Sequence, residues 1–120
     1  MKNKIILHVP HSSINIPITE GYVVENESLN KEIIKLTDWY TDDLFYSDTD
    51  IIIRAEFSRI FCDVERFTDD TQEIMAQFGM GVLYEISDAG ETLRKVTPKL
   101  REKILNDFYW KHHHKLTQAV

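Results

Sequence analysis

The chain has a single cysteine, Cys62, so no intrachain disulfide can form and a reducing compartment is the default expectation. It has no long apolar run. After Lys2 and Lys4 the sequence is continuously apolar only from Ile5 to Leu7, too short for a secretory core or a membrane span. A surplus of positive charge is also missing. With 14 Lys and Arg against 20 Asp and Glu, the formal net charge is −6, which argues against the basic footprint that nucleic-acid binding requires. An anionic small molecule is not excluded, because one or two placed arginines reverse the field locally. There is no Gly/Ser linker, internal repeat or low-complexity tract, so residues 1–120 read as a single domain with a modest core. No Walker loop, GxGxxG, CxxC pair or GxSxG elbow occurs, and nucleotide and serine-hydrolase readings lack their anchors. The plain expectation is a soluble, cytoplasmic, one-domain protein.

What is present suggests α/β order. In KIILHVPHSS, Lys4 to Val9 reads as a buried strand stopped by Pro10, which cannot donate to a central ladder. His11 to Gly21 reads as a loop. Ser28 is placed to cap a helix running to about Tyr46, with Leu29, Ile33, Leu36, Tyr40 and Leu44 on one stripe. Asp50 to Phe57 is β-branched and reads as the next strand. Ser58 to Phe67 alternates, so that Phe61, Asp63 and Glu65 would share one side of an extended segment. Gly81 to Ile86 predicts a strand, Ser87 to Gly90 a turn, and Glu91 to Val96 a hairpin return. Thr97-Pro98 opens a last helix that carries His112, His113 and His114. In α/β domains chemistry collects at the carboxyl ends of strands, where His11 falls.

The residue types there suit metal or carboxylate chemistry. Neutral imidazole is a common metal ligand, and consecutive helical histidines diverge by about 100°, so at most one or two of His112–His114 face one site. Each histidine also fits a satisfied core or surface position. Asp38 and Asp42, four apart, share a helical face and repel unless solvent, a cation or an arginine offsets them. Arg59 and Arg66 bracket Asp63 and Glu65. Their planar forks serve equally to clamp a dicarboxylate or to pair internally with those acids.

HVPHSS, TDWYTDDLF, SRIFCDVERF, GVLYE and YWKHHHKL, in this order and spacing, together resemble the N-formylglutamate amidohydrolase family, which is related to zinc carboxypeptidases and aspartoacylase-type deacylases. The resemblance implies a three-layer α/β/α, phosphorylase/hydrolase-like mixed sheet and hydrolysis of N-formyl-L-glutamate to formate and glutamate. It implies Zn2+, or another divalent ion, held by His11, Asp38 and His113, with Asp42 and Asp63 behind the ligands. Arg59 would polarise the scissile carbonyl, while Arg66 and Ser12 would bind an acidic N-acyl amino acid. Position 65 is Glu where the family pattern has Asn, which is expected to set a negative charge beside Arg66. Family members are longer, so the resemblance implies an amino-terminal portion whose sheet and general base are completed elsewhere. Deacylation of another N-acyl amino acid or peptide, and ligand binding without turnover, are the alternatives.

Overall fold

A computed structural model describes residues 6–39 and 51–120. Among them the architecture is mixed α/β around a small parallel sheet. Strand β1 (Ile6–Val9) pairs with β2 (Ile51–Arg54) in the register Ile6↔Ile51 to Val9↔Arg54. Parallel pairing needs a crossover, and helix α1 (Asn26–Leu36) lies on it. The apolar runs suit parallel strands, which read as continuous Ile/Leu/Val stretches rather than alternation. Among the described residues no helix is long and apolar enough to cross a membrane.

Helix α1 is capped three residues earlier than expected. Glu25 occupies the cap position, and its carbonyl accepts from the Leu29 amide at 3.0 Å. The helix buries Leu29 and Ile33 and stops at Leu36, far short of Tyr46. Thr37 turns extended, and both its amide and its hydroxyl bond back to the Ile33 carbonyl. The Asp38 amide then donates to the His11 carbonyl at 2.8 Å, drawing the chain toward the end of β1. Asp38 is therefore on a loop, not on a helical face; Asp42 and the rest of the expected helix lie outside the described residues.

Two expected extended segments are also differently built. Ser58 to Phe67 folds as successive turns because short polar side chains capture nearby amides: Ser58 Oγ accepts from Ile60 at 3.2 Å and Asp63 Oδ1 from Glu65 at 3.0 Å. Gly81 to Ile86 forms no strand. Its residues Val82, Leu83 and Tyr84 are buried, but their carbonyls meet other partners: Val82 O accepts the Asp63 amide at 2.7 Å and Tyr84 O the Arg94 side chain at 2.8 Å. The turn at Ser87 to Gly90 is present, closed by the Ser87 amide on Glu91 O, but the hairpin reduces to one bridge, Ile86↔Thr92. Ahead of it a 3₁₀ turn (Ile74–Phe78) ends at Gly79, whose φ is +74°. A Cβ there would lie 2.5 Å from the Ile86 side chain, so glycine is required on both counts.

Thr97 does cap the last helical stretch, accepting from the Leu100 amide at 3.1 Å with Pro98 in the first turn. Helix α2 (Pro98–Ile104) continues through a π turn (Leu105–Tyr109) into α3 (Trp110–Ala119). The π turn moves the helix face, placing Phe108 edge-to-face against Phe57 and Phe61 at 5.6 and 5.0 Å. Phe61, Cys62, Val82, Leu100 and Ile104 form the main core, and Leu29, Ile33, Ile60, Tyr84 and Leu93 a second. Phe61→Ala empties a fully enclosed site and should cost about 3–5 kcal/mol. Phe67→Ala, at a ring left 62% exposed, should stay within about 0.5 kcal/mol. Urea denaturation of both variants checks the placement of the core.

Candidate functional site

Past the end of β1, Pro10 directs the chain so that the half-buried His11 ring sits between two carboxylates. Nε2 lies 2.7 Å from Asp63 Oδ1 and Nδ1 lies 3.6 Å from Asp38 Oδ2. Asp63 has no solvent exposure, and a buried carboxylate requires donors. It has them: His11, the Tyr84 hydroxyl at 2.6 Å, Arg59 at 3.3 Å and the Glu65 amide at 3.0 Å. Arg66 Nε stands 3.6 Å from Oδ2 and is itself buried without a hydrogen-bond partner among the described residues. Desolvation alone would raise the Asp63 pKa. Its interaction with His11, the Tyr84 hydrogen bond and the Arg59 charge outweigh burial and hold it down to about 2.

Tyr84 links the two arginines. Its oxygen donates to Asp63 and accepts from Arg59 Nε at 3.1 Å and Arg66 at 3.4 Å, while both guanidiniums lie near the ring face. Burial, and next the Asp63 carboxylate, push this phenol up to about 12, so it keeps its proton at neutral pH. Two guanidiniums share the Asp63 carboxylate, and Asp38 stands as a second acid on the far side of His11. Both arginines keep about a fifth of their side-chain surface open, and a planar fork left open in this way can take a carboxylate.

The tautomer of His11 follows from its neighbours. An ionised Asp63 accepts, so Nε2 carries the proton, and in the neutral ring the Nδ1 lone pair faces Asp38. That is the carboxylate–histidine arrangement that orients a metal ligand. His113 is disposed similarly, its Nε2 donating to Val64 O at 2.7 Å and leaving Nδ1 as the unprotonated nitrogen. The donor chemistry therefore suits a divalent cation. Among the described residues, however, no group of three or more His, Cys, Asp and Glu converges as a metal cluster. His11 and Asp38 face each other, and His113 reaches the site region through the Val64 backbone.

The other expected residues separate. Arg59, Asp63 and Arg66 assemble with His11. Ser12 borders another cavity of about 540 Å³, beside Ser13, Ile14 and residues of β2. Glu65 does not face Arg66. Its carboxylate lies 3.2 Å from His8 Nδ1, and His8 Nε2 lies 2.7 Å from His112 Nε2. With Glu65 accepting from His8, the shared proton of the imidazole pair belongs to His112. Tyr84, His8 and His112 had no assigned role in the sequence; only GVLYE pointed toward Tyr84. Cys62 is buried, and burial raises its thiol pKa far from the reactive range.

The fold matches that of a solved amidohydrolase. The crystal structure of N-formylglutamate amidohydrolase from Ralstonia eutropha JMP134 aligns with a TM-score of 0.79 and 22% identity. The alignment covers 96% of this chain and 46% of that one, so the chain spans just under half that protein's length. A search of curated proteins returns no match. The model of the N-formylglutamate amidohydrolase family matches residues 3–120, and the chain belongs to that family.

Acid stability tests the electrostatics. Asp63 titrates at about 2 in the fold against an ordinary 3.8, so its contribution is full above the higher value and is lost as pH falls through about 2. His112 acts at higher pH. Burial first, then His8, His113 and Lys115, push its ring from 6.5 down to about 4, so stability falls as pH drops across that window. Urea midpoints should show both losses. His112→Gln should reduce the upper one, to which the His8 ring, also lowered by burial, contributes, and Asp63→Asn should remove the lower; a wild-type midpoint constant across both windows contradicts the burial of these groups.

Proposed function

We propose that this chain carries the ligand and anion-recognition residues of a zinc-dependent amidohydrolase that converts N-formyl-L-glutamate and water to formate and glutamate. The family match over residues 3–120 is the observation that carries this reading. The partly open guanidiniums of Arg59 and Arg66 support it, because the substrate is a dicarboxylate. His11, Asp38 and His113 would hold the cation, with Asp42 and Asp63 behind them. When bound, such an ion supplies Lewis acidity toward a carbonyl oxygen and toward water.

The chain's own residues supply binding and orientation. Asp63 holds the His11 ring with Nε2 protonated. Arg66 and Ser12 would bind the acidic substrate, and Arg59 would stabilise the charge that grows on the oxygen of the attacked carbonyl. The Tyr84 hydroxyl, kept protonated, fixes both guanidiniums. We read the parallel strand pair as part of a three-layer α/β/α mixed sheet, residues 1–120 forming an amino-terminal portion. The general base is expected from other polypeptide, by the family resemblance; Glu65 pairs with His8. A cytoplasmic setting accords with the single, buried thiol.

The span of under half the structural relative favours a second reading, in which an acidic N-acyl amino acid binds without turnover. Release of formate from N-formyl-L-glutamate separates the two, and elemental analysis tests the cation. One zinc per chain is expected, lost in both His11→Ala and His113→Ala; stoichiometric zinc in both variants would refute the ligand set. Arg66→Ala should raise KM for N-formyl-L-glutamate, or its Kd if no turnover occurs, by about tenfold with kcat little changed. N-acetyl and peptide amides in parallel assays decide the acyl preference.

A further inference from the structure

Arg94 is a fully buried cation whose bonded partners include no carboxylate. It is 1% exposed, and its three nitrogens reach four oxygens. Nε donates to Tyr84 O at 2.8 Å, one terminal nitrogen to Ile60 O at 3.1 Å and Phe61 O at 2.6 Å, and the other to Tyr22 Oη at 3.0 Å. The guanidinium also stacks on the Tyr22 ring at 4.9 Å. Burying a charge in this way is costly, and it is sustained only when every donor is satisfied. The oxygens it satisfies are informative. Ile60 and Phe61 lie in the turn that presents Asp63, and Tyr84 is the residue whose hydroxyl holds the Asp63 carboxylate. One planar fork therefore anchors the backbones on both sides of the Tyr84–Asp63 hydrogen bond.

We propose that Arg94 is a positioning residue of the site: by tying the Ile60–Phe61 carbonyls to the Tyr84 carbonyl, it sets the Asp63 carboxylate where it captures Nε2–H of His11. It touches neither His11 nor Asp63 and acts only through the backbone. Lysine cannot substitute, because its point charge lacks the fixed fork needed to hold these carbonyls together. The inference rests on reading this cluster as the active site, but its test observes His11 itself in chelator-treated, metal-free protein and does not depend on activity.

Nitrogen NMR of the imidazoles, with hydrogen exchange, provides that test on the whole chain. In the wild type, His11 should be protonated on Nε2, with slow exchange of that proton. In Arg94→Lys, exchange of the Nε2 proton should accelerate about tenfold or more and a second tautomer should appear, while α3 amides keep their protection within about twofold. A folded Arg94→Lys protein with an unchanged His11 signal overturns the proposal. So does an equal loss of protection at His11 and throughout α3, which would make Arg94 a general support of the fold. If Arg94→Lys does not fold, Tyr22→Phe removes one of its acceptors without touching Asp63. That variant should accelerate the same proton about threefold, and an unchanged exchange rate there overturns the proposal equally.

Discussion

The structure turns on one carboxylate. Asp63 is shielded from water, and its charge is tolerable only because donors from separate parts of the chain converge on it. His11 comes from the end of β1, Arg59 and the Glu65 amide from the turns around Asp63, and Tyr84 from the irregular segment beyond the 3₁₀ turn. Each is fixed by the need to satisfy the acid. Anchoring in turn makes the site: the His11 tautomer, the protonated phenol and the crowding of two guanidiniums all follow from a negative charge held in a dry place. The arginines are thus internal ion-pair partners that still keep part of their guanidinium surface open.

The histidines divide the remaining work by what each ring nitrogen meets. His11 faces carboxylates on both sides. His113 is tied to a backbone carbonyl beside Asp63. His8 and His112 bond to each other across the gap between β1 and α3, with Glu65 at the far end. The π turn brings the helix to this arrangement. It lets Tyr109 donate to Arg66 O at 2.8 Å while Phe108 enters the core, so the same helix grips the backbone on both sides of Glu65. Regular helical spacing from Thr97 does not account for that combination of faces.

Much of this was legible in the residues. The β1 run ending at Pro10, the Thr97-Pro98 helix start and the turn at Ser87 to Gly90 rest on local chemistry, and each occurs in the fold. The resemblance grouped His11, Asp38 and His113 as ligands, with Arg59, Arg66, Ser12, Asp42 and Asp63 around them; the structure sets His11, Asp38, Asp63, Arg59 and Arg66 near one another, while His113 bonds to Val64 O and Ser12 borders a separate cavity. Segments whose backbone partners lie far away were not legible. Apolar Gly81–Ile86 resembles a strand until the Arg94 side chain and the Asp63 amide take its carbonyls. Ser58–Phe67 alternates like a strand, yet Ser58 and Asp63 bend it into turns. Glu65 looks like a partner for Arg66 because they are adjacent in sequence; its actual partner, His8, is distant in the chain and closer in space.

The sequence by itself determined the α/β class, the family and the kinds of side chain available for chemistry, because strand runs, caps and motif order are properties of neighbouring residues. Tertiary structure alone decided which acid is buried, which ring nitrogens of His8, His11, His112 and His113 meet acceptors and which arginine bonds to backbone rather than to a carboxylate. Those outcomes depend on desolvation and on hydrogen-bond partners up to a hundred residues apart, as between His8 and His112, and no local pattern encodes them.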